Sequence, residues 1–108
     1  MESKVHKRGI IYAAKKFTRC KKEVPLDKRR VDLQCQTKKK KVNVEIKRNW
    51  SDYLKSQNQI CDMIKSANKR KQAQLTMLAE PKCFIGGNKE GNKIIQSKGL
   101  IRCKMILA

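Results

Sequence analysis

Four consecutive lysines, Lys38, Lys39, Lys40 and Lys41, stand between two stretches in which apolar and polar side chains alternate. Further basic groups recur as Lys15-Lys16, Lys21-Lys22, Lys28-Arg29-Arg30 and Lys69-Arg70-Lys71. Ammonium and guanidinium groups at this density suit one kind of chemistry. They neutralise phosphates, release condensed counterions, and give an affinity that is independent of sequence and steep in salt. Lysine predominates over arginine, and arginine is the usual bidentate reader of guanine edges. The aromatic side chains on which bases could stack are few: Tyr12, Phe17, Trp50, Tyr53 and Phe84. Backbone contact is therefore expected rather than base readout. The expected phosphate contacts are Lys28, Arg29 and Arg30, then Lys38, Lys39, Lys40 and Lys41, then Lys69, Arg70 and Lys71.

The charge balance points the same way. The chain carries 28 Lys and Arg against 9 Asp and Glu, a net charge of +19. Such an excess repels itself in a compact chain, and a polyanion relieves the repulsion. Nucleic acid, an anionic membrane or an acidic protein surface would each serve. The leading expectation is a non-catalytic, structural or architectural binder of RNA or DNA, of the kind found in ribonucleoproteins. The alternative is an interaction or regulatory protein, cellular or viral, that docks on an acidic assembly such as a microtubule. In that case the stripe Trp50, Tyr53, Leu54, Ile60 and Ile64 would be an interface. Lys15 and Lys16, a spacer over residues 17–27, and Lys28, Arg29 and Arg30 also fit the loose form of a bipartite nuclear-import signal.

No catalytic constellation is expected. His6 is solitary, Asp52 and Asp62 are ten residues apart, and "GGNKEG" at 86–91 lacks the lysine and hydroxyl that complete a phosphate-binding loop. The cysteines are Cys20, Cys35, Cys61, Cys83 and Cys103, widely spaced and without a C-x-x-C knuckle, so no zinc site and no cofactor are expected. The reading is of free buried thiols acting as small hydrophobes, which implies a reducing intracellular compartment, nuclear or cytoplasmic. The sequon Asn49-Trp50-Ser51 is discounted on that ground. The N-terminus has no apolar signal region, and its basic residues leave mitochondrial import open. No apolar run approaches the roughly 20 residues that span a bilayer.

These side chains need elements to hold them. Ile10, Ala13, Ala14, Phe17 and Cys20 predict a helix over 8–20. Residues 21–30 read as a loop, because Pro25 disfavours helix at Val24 and charges crowd both sides. Val31, Leu33 and Cys35, then Val42, Val44 and Ile46, alternate with polar residues and predict a hairpin over 31–47. Its tip of about four residues would carry the lysines, since no Gly or Asn supports a tighter turn. A helix over 50–79 follows, capped by Ser51, with Asp52 in its first turn and Pro81 beyond its end. Short strands are expected near 82–86, 93–97 and 100–107. The fold class is a small single-domain α+β protein. A basic segment over 1–30 leads into a central helix packed on antiparallel strands.

Overall fold

The computed structural model describes residues 3–88 and 101–104. The strand expected at 93–97, and all but residues 101–104 of the one expected at 100–107, lie outside the described residues. The chain folds as α1 (Lys4–Lys16), β1 (Thr18–Leu26), β2 (Arg29–Gln36), β3 (Lys41–Lys47), α2 (Trp50–Lys55), α3 (Gln57–Lys69), β4 (Ala73–Leu78) and β5 (Cys83–Gly86). The α+β class is as expected. The strands form one sheet in chain order, and neighbours are antiparallel except β3 and β4. A purely antiparallel sheet was expected. The exception arises because α2 and α3 carry the chain back along the sheet, the crossover that parallel neighbours require.

Alternation along the strands divides the sheet into two faces. One face is apolar. Leu33, Cys35, Val42, Val44, Ile46, Ala73, Leu75, Met77 and Phe84 pack there under Ile10 and Ala13 of α1 and Phe17 just after it. The helix sits so close that a Cβ on Gly9 would lie 2.6 Å from Ile46 Cγ2. The other face is polar. Strand register aligns Lys21, Gln34, Asn43 and Gln74 in one cross-strand row. Gln34 Nε2 donates to Asn43 Oδ1 at 2.8 Å, and Asn43 Nδ2 donates to Gln72 Oε1 at 2.9 Å. Partnered in this way, the buried Asn43 amide is tolerated, whereas Oε1 of the fully buried Gln74 has no partner among the described residues. Gln59 of α3 reaches the same face, donating to Glu45 and accepting from Lys47.

The segment expected as a loop over 21–30 is instead most of a hairpin. Leu26 pairs with Arg29 across a two-residue turn of Asp27 and Lys28, and Asp27 takes φ 58°. Pro25 is accommodated because β1 is a sheet edge, where a missing N–H costs little. The described part of the basic N-terminal segment expected over 1–30 is thus helix α1, strand β1, a turn and the start of β2. The helix over 8–20 is shifted: α1 begins at Lys4, where Ser3 accepts the His6 N–H, and Phe17 ends it.

The single helix expected over 50–79 is three elements. Asn49, not Ser51, caps α2 by accepting the Asp52 N–H at 3.0 Å. The helix breaks at Ser56, and α3 ends at Lys69. There the Gln72 N–H donates to the Ala67 carbonyl and the Lys71 N–H to that of Asn68, a Schellman closure with Lys71 at φ 56°. A glycine ordinarily fills that left-handed position, so the stop left no mark in the sequence. Residues 73–78 then form the most buried strand of the sheet.

Four of the five cysteines expected as free thiols are paired: Cys20 with Cys35, joining β1 to β2, and Cys83 of β5 with Cys103. Their Cα atoms are 4.0 and 4.8 Å apart. Wide spacing in sequence concealed pairs that the fold brings together, Cys20 in β1 beside β2 and Cys103 beside β5, where its N–H donates to the Phe84 carbonyl. Cys61 alone is free, and it is exposed on α3. The thiol argument for a reducing compartment, and with it the ground for discounting the sequon, falls away.

Candidate nucleic-acid interface

The lysine tip is a structured turn. Residues 37–40 connect β2 to β3, the four-residue loop expected. Thr37 organises it: its N–H and hydroxyl both donate to the Lys40 carbonyl, at 2.9 and 2.8 Å, and its Oγ1 accepts the Lys40 N–H at 3.2 Å. Lys38, Lys39 and Lys41 project into solvent, and Lys40 is half-buried. Sequence reasoning passed over Thr37. A Ser/Thr at the first position of a turn is the signal that identifies such a closure.

The parallel pairing of β3 with β4 places a second basic cluster beside this tip. Val42 is the partner of Ala73, so the chain enters both strands at the same end of the sheet. Lys41 immediately precedes Val42, and Lys69, Arg70 and Lys71 form the exposed end of α3 just before Ala73. Strand neighbours lie about 4.8 Å apart, so the hairpin tip and the helix end share one edge.

The third cluster joins through an ion pair. Pairing of β2 with β3 stops at Leu33 and Val44, and the Asp32 carboxylate takes the Ile46 N–H at 2.7 Å in place of a backbone partner. Past this point the β1–β2 ribbon packs against α3, with Val24, Leu26 and Val31 around Met63. Arg70 bonds Asp27 at 2.5 Å, and Arg29 bonds Asp62 at 2.9 Å. Lys28, in the same turn as Asp27, is thereby drawn to the end of α3. The Arg70 guanidinium, helped by Ser66, holds the Asp27 carboxyl well below the usual carboxylate range, and Asp27 raises Arg70 in turn.

The end of α3 thus lies beside each of the other two expected clusters, but the three are not equals. Lys28, Arg30, Lys69 and Lys71 are exposed, whereas Arg29 and Arg70 are engaged by carboxylates. Lys15 and Lys16 lie apart at the end of α1, where the Lys16 ammonium sits 5.3 Å from the Tyr12 ring centroid. The spacer of the bipartite pattern is mostly strand β1.

Among the described residues one carboxyl group is buried on the polar face. Glu45 is 5% exposed, with Oε1 accepting the Asp32 N–H and Oε2 facing Gln59 and Lys47. Burial, reinforced by the neighbouring Asp32, pushes its carboxyl up to about 8, against the pull of Lys47. His6 of α1 approaches Asp32 at 3.8 Å. Among the described residues no set of three or more His, Cys, Asp and Glu is arranged to hold a metal. No helix among them is long and apolar enough to cross a membrane.

Arg19 and Lys21 were not among the expected contacts. Both face a concavity on the polar side of β1, β2 and β3 that Lys41 also lines. Their placement depends on β1 being a strand, which the loop reading of this segment hid. No protein-family model, curated protein or solved structure matches the chain.

Proposed function

We propose that this protein is a non-catalytic binder of the nucleic-acid phosphate backbone, gripping its ligand along the edge where the hairpin tip, the end of α3 and the β1–β2 turn meet. The observation that carries this reading is the convergence of three basic clusters, far apart in sequence, through the Val42–Ala73 pairing and the Arg70–Asp27 ion pair. A merely solvated surface needs no such convergence. Lysine ammoniums at an edge contact phosphates as point charges and impose no base preference. RNA and DNA are both expected to bind.

Docking on an acidic protein through the Trp50–Ile64 stripe draws less support. Ile60 is buried, and Trp50 and Tyr53 pack over Leu78, Cys83 and Cys103, so Leu54 is the stripe's one strongly exposed large hydrophobe. The two cysteine pairs leave the compartment open, and the binding reading does not depend on it.

Fluorescence anisotropy with a random-sequence duplex DNA and a structured RNA, repeated across salt concentrations, tests the proposal. Sub-micromolar binding with a steep negative salt slope on either ligand is expected. Binding that disappears at physiological salt on both would overturn it.

A further inference from the structure

The concavity on β1, β2 and β3 is built differently from the exposed clusters. Its volume is about 210 Å³, and it is lined by Arg19, Lys21, Gln34, Cys35, Gln36 and Lys41. Among the described residues, three cations from two strands line it and no carboxylate does. Among the described residues Arg19, Lys21 and Lys41 form no ion pair, unlike Arg29, Lys47 and Arg70.

The strand geometry that makes this pocket is irregular at one point. Thr18 pairs with Gln36 and Lys21 with Gln34, so β1 takes three steps while β2 takes two. The extra residue is a bulge at Arg19–Cys20, and Arg19 sits at φ 52°, a left-handed conformation arginine rarely adopts. Bulges re-aim side chains, and strain at such a residue persists only where surrounding structure holds it. Here the Cys20–Cys35 disulfide ties the bulge to β2. The amide floor is also held in place. The Gln34 amide is fixed by Asn43 and the Gln36 amide by the Thr37 carbonyl, each through one bond at 2.8 Å. Each –NH₂ carries a second donor hydrogen.

We propose that this pocket is a phosphate-binding subsite that takes a single phosphodiester group of the nucleic acid. The inference rests on the nucleic-acid reading above. Arg19 supplies a charge-assisted fork, Lys21 and Lys41 supply point charges, and Gln34 and Gln36 offer amide hydrogens. A volume of about 210 Å³ leaves ample room for a phosphate group among these donors. Lys41 belongs both to this pocket and to the hairpin tip, so a strand laid along the basic edge can place one phosphate here.

The test uses the whole oxidised chain. Inorganic phosphate is titrated while backbone amide NMR shifts are followed, and anisotropy is measured on the duplex and RNA probes for Arg19→Ser/Lys21→Ser and for a charge-matched control, Lys7→Ser/Lys22→Ser. Saturable shifts centred on residues 19–21, 34–36 and 41 are expected, abolished in the first variant and kept in the control. The first variant should also lower the salt slope by about 0.9 more than the control, the effect of one lost phosphate contact. Non-saturating shifts spread over all the basic clusters, or two variants that bind alike, would overturn the subsite and leave the general binding proposal standing. Saturable phosphate binding in a chain that ignores both nucleic acids would overturn the nucleic-acid reading instead. Preference for a sulfated polysaccharide over both nucleic acids at equal charge concentration would overturn the phosphodiester assignment.

Discussion

Arg70 Nη2 lies 2.5 Å from Asp27 Oδ1, and this contact joins the β1–β2 turn to the end of α3 across 43 positions of sequence. Both side chains are substantially exposed, so the pair matters more for where charge sits than for stability. It brings Lys28 to Lys69 and Lys71, and it occupies a cation that phosphate would otherwise claim.

Asp27→Asn should therefore strengthen polyanion binding. The amide removes one negative charge and loosens the hold on Arg70, while its Oδ1 can still accept from the guanidinium and keep Lys28 beside the end of α3, and asparagine accepts the left-handed backbone at φ 58°. The salt slope measured by anisotropy is expected to steepen by up to about 1. An unchanged slope would place Arg70 outside the contact surface.

Lys71 occupies the left-handed position that closes α3, at φ 56°. Lys71→Gly removes that backbone cost and should raise stability by about 1 kcal/mol. In a chain of this size that corresponds to a rise of roughly 4 °C or more in the thermal midpoint, read by circular dichroism. The same variant loses a cation of the basic edge and should bind phosphate more weakly.

How much of this was legible in the sequence depended on whether each signal was local. The hairpin over 31–47 was readable because apolar alternation is uninterrupted on both strands and four lysines can only lie at a tip. The hairpin before it was not. Left-handed residues at Arg19 and Glu23 interrupt the alternation of β1, and its turn uses Asp27 and Lys28 without glycine. The helix read over 50–79 failed for the same reason, since Lys71 stands where glycine would have marked the stop. Leu75 and Leu78 happened to continue a helical stripe, although they belong to a buried strand. The basic clusters were visible as sequence runs. Their convergence was not, because it rests on a parallel pairing and one long-range ion pair. Arg19 and Lys21 were lost with the strand that carries them.

Glu45 makes stability depend on pH. Its carboxyl is raised from an ordinary 4.5 to about 8 by burial and by Asp32, with Lys47 opposing. Between those values the folded chain holds a proton that the unfolded chain has released. This contribution is fully present below pH 4.5 and is lost as pH rises through about 8. Glu45→Gln should flatten that part of the profile and have the higher thermal midpoint at pH 9. Thermal melts of both chains from pH 4 to 9 check the sign. A wild-type stability that rises through this window, with the variant unchanged beside it, would contradict the assignment.

The contact of α1 with the sheet is close at Gly9. An alanine Cβ there would lie 2.6 Å from Cγ2 and 3.3 Å from Cδ1 of Ile46, whose side chain is fully buried. Overpacking of this kind costs about 1–3 kcal/mol, against a helix-propensity gain of about 1 kcal/mol. Gly9→Ala is expected to destabilise the fold by up to about 2 kcal/mol in urea unfolding, with secondary structure retained.

The most direct test of the basic edge removes charge from its two ends separately. Lys38→Ser/Lys39→Ser acts at the hairpin tip, and Lys28→Ser/Lys69→Ser acts where the turn meets α3. Binding of each variant to several unrelated duplexes is followed by anisotropy from low to physiological salt. Each pair should weaken binding equally on every sequence and lower the salt slope by up to about 1.8, two contacts at about 0.9 each. Parental affinity and slope in both variants would contradict the proposal that this edge holds the nucleic-acid backbone.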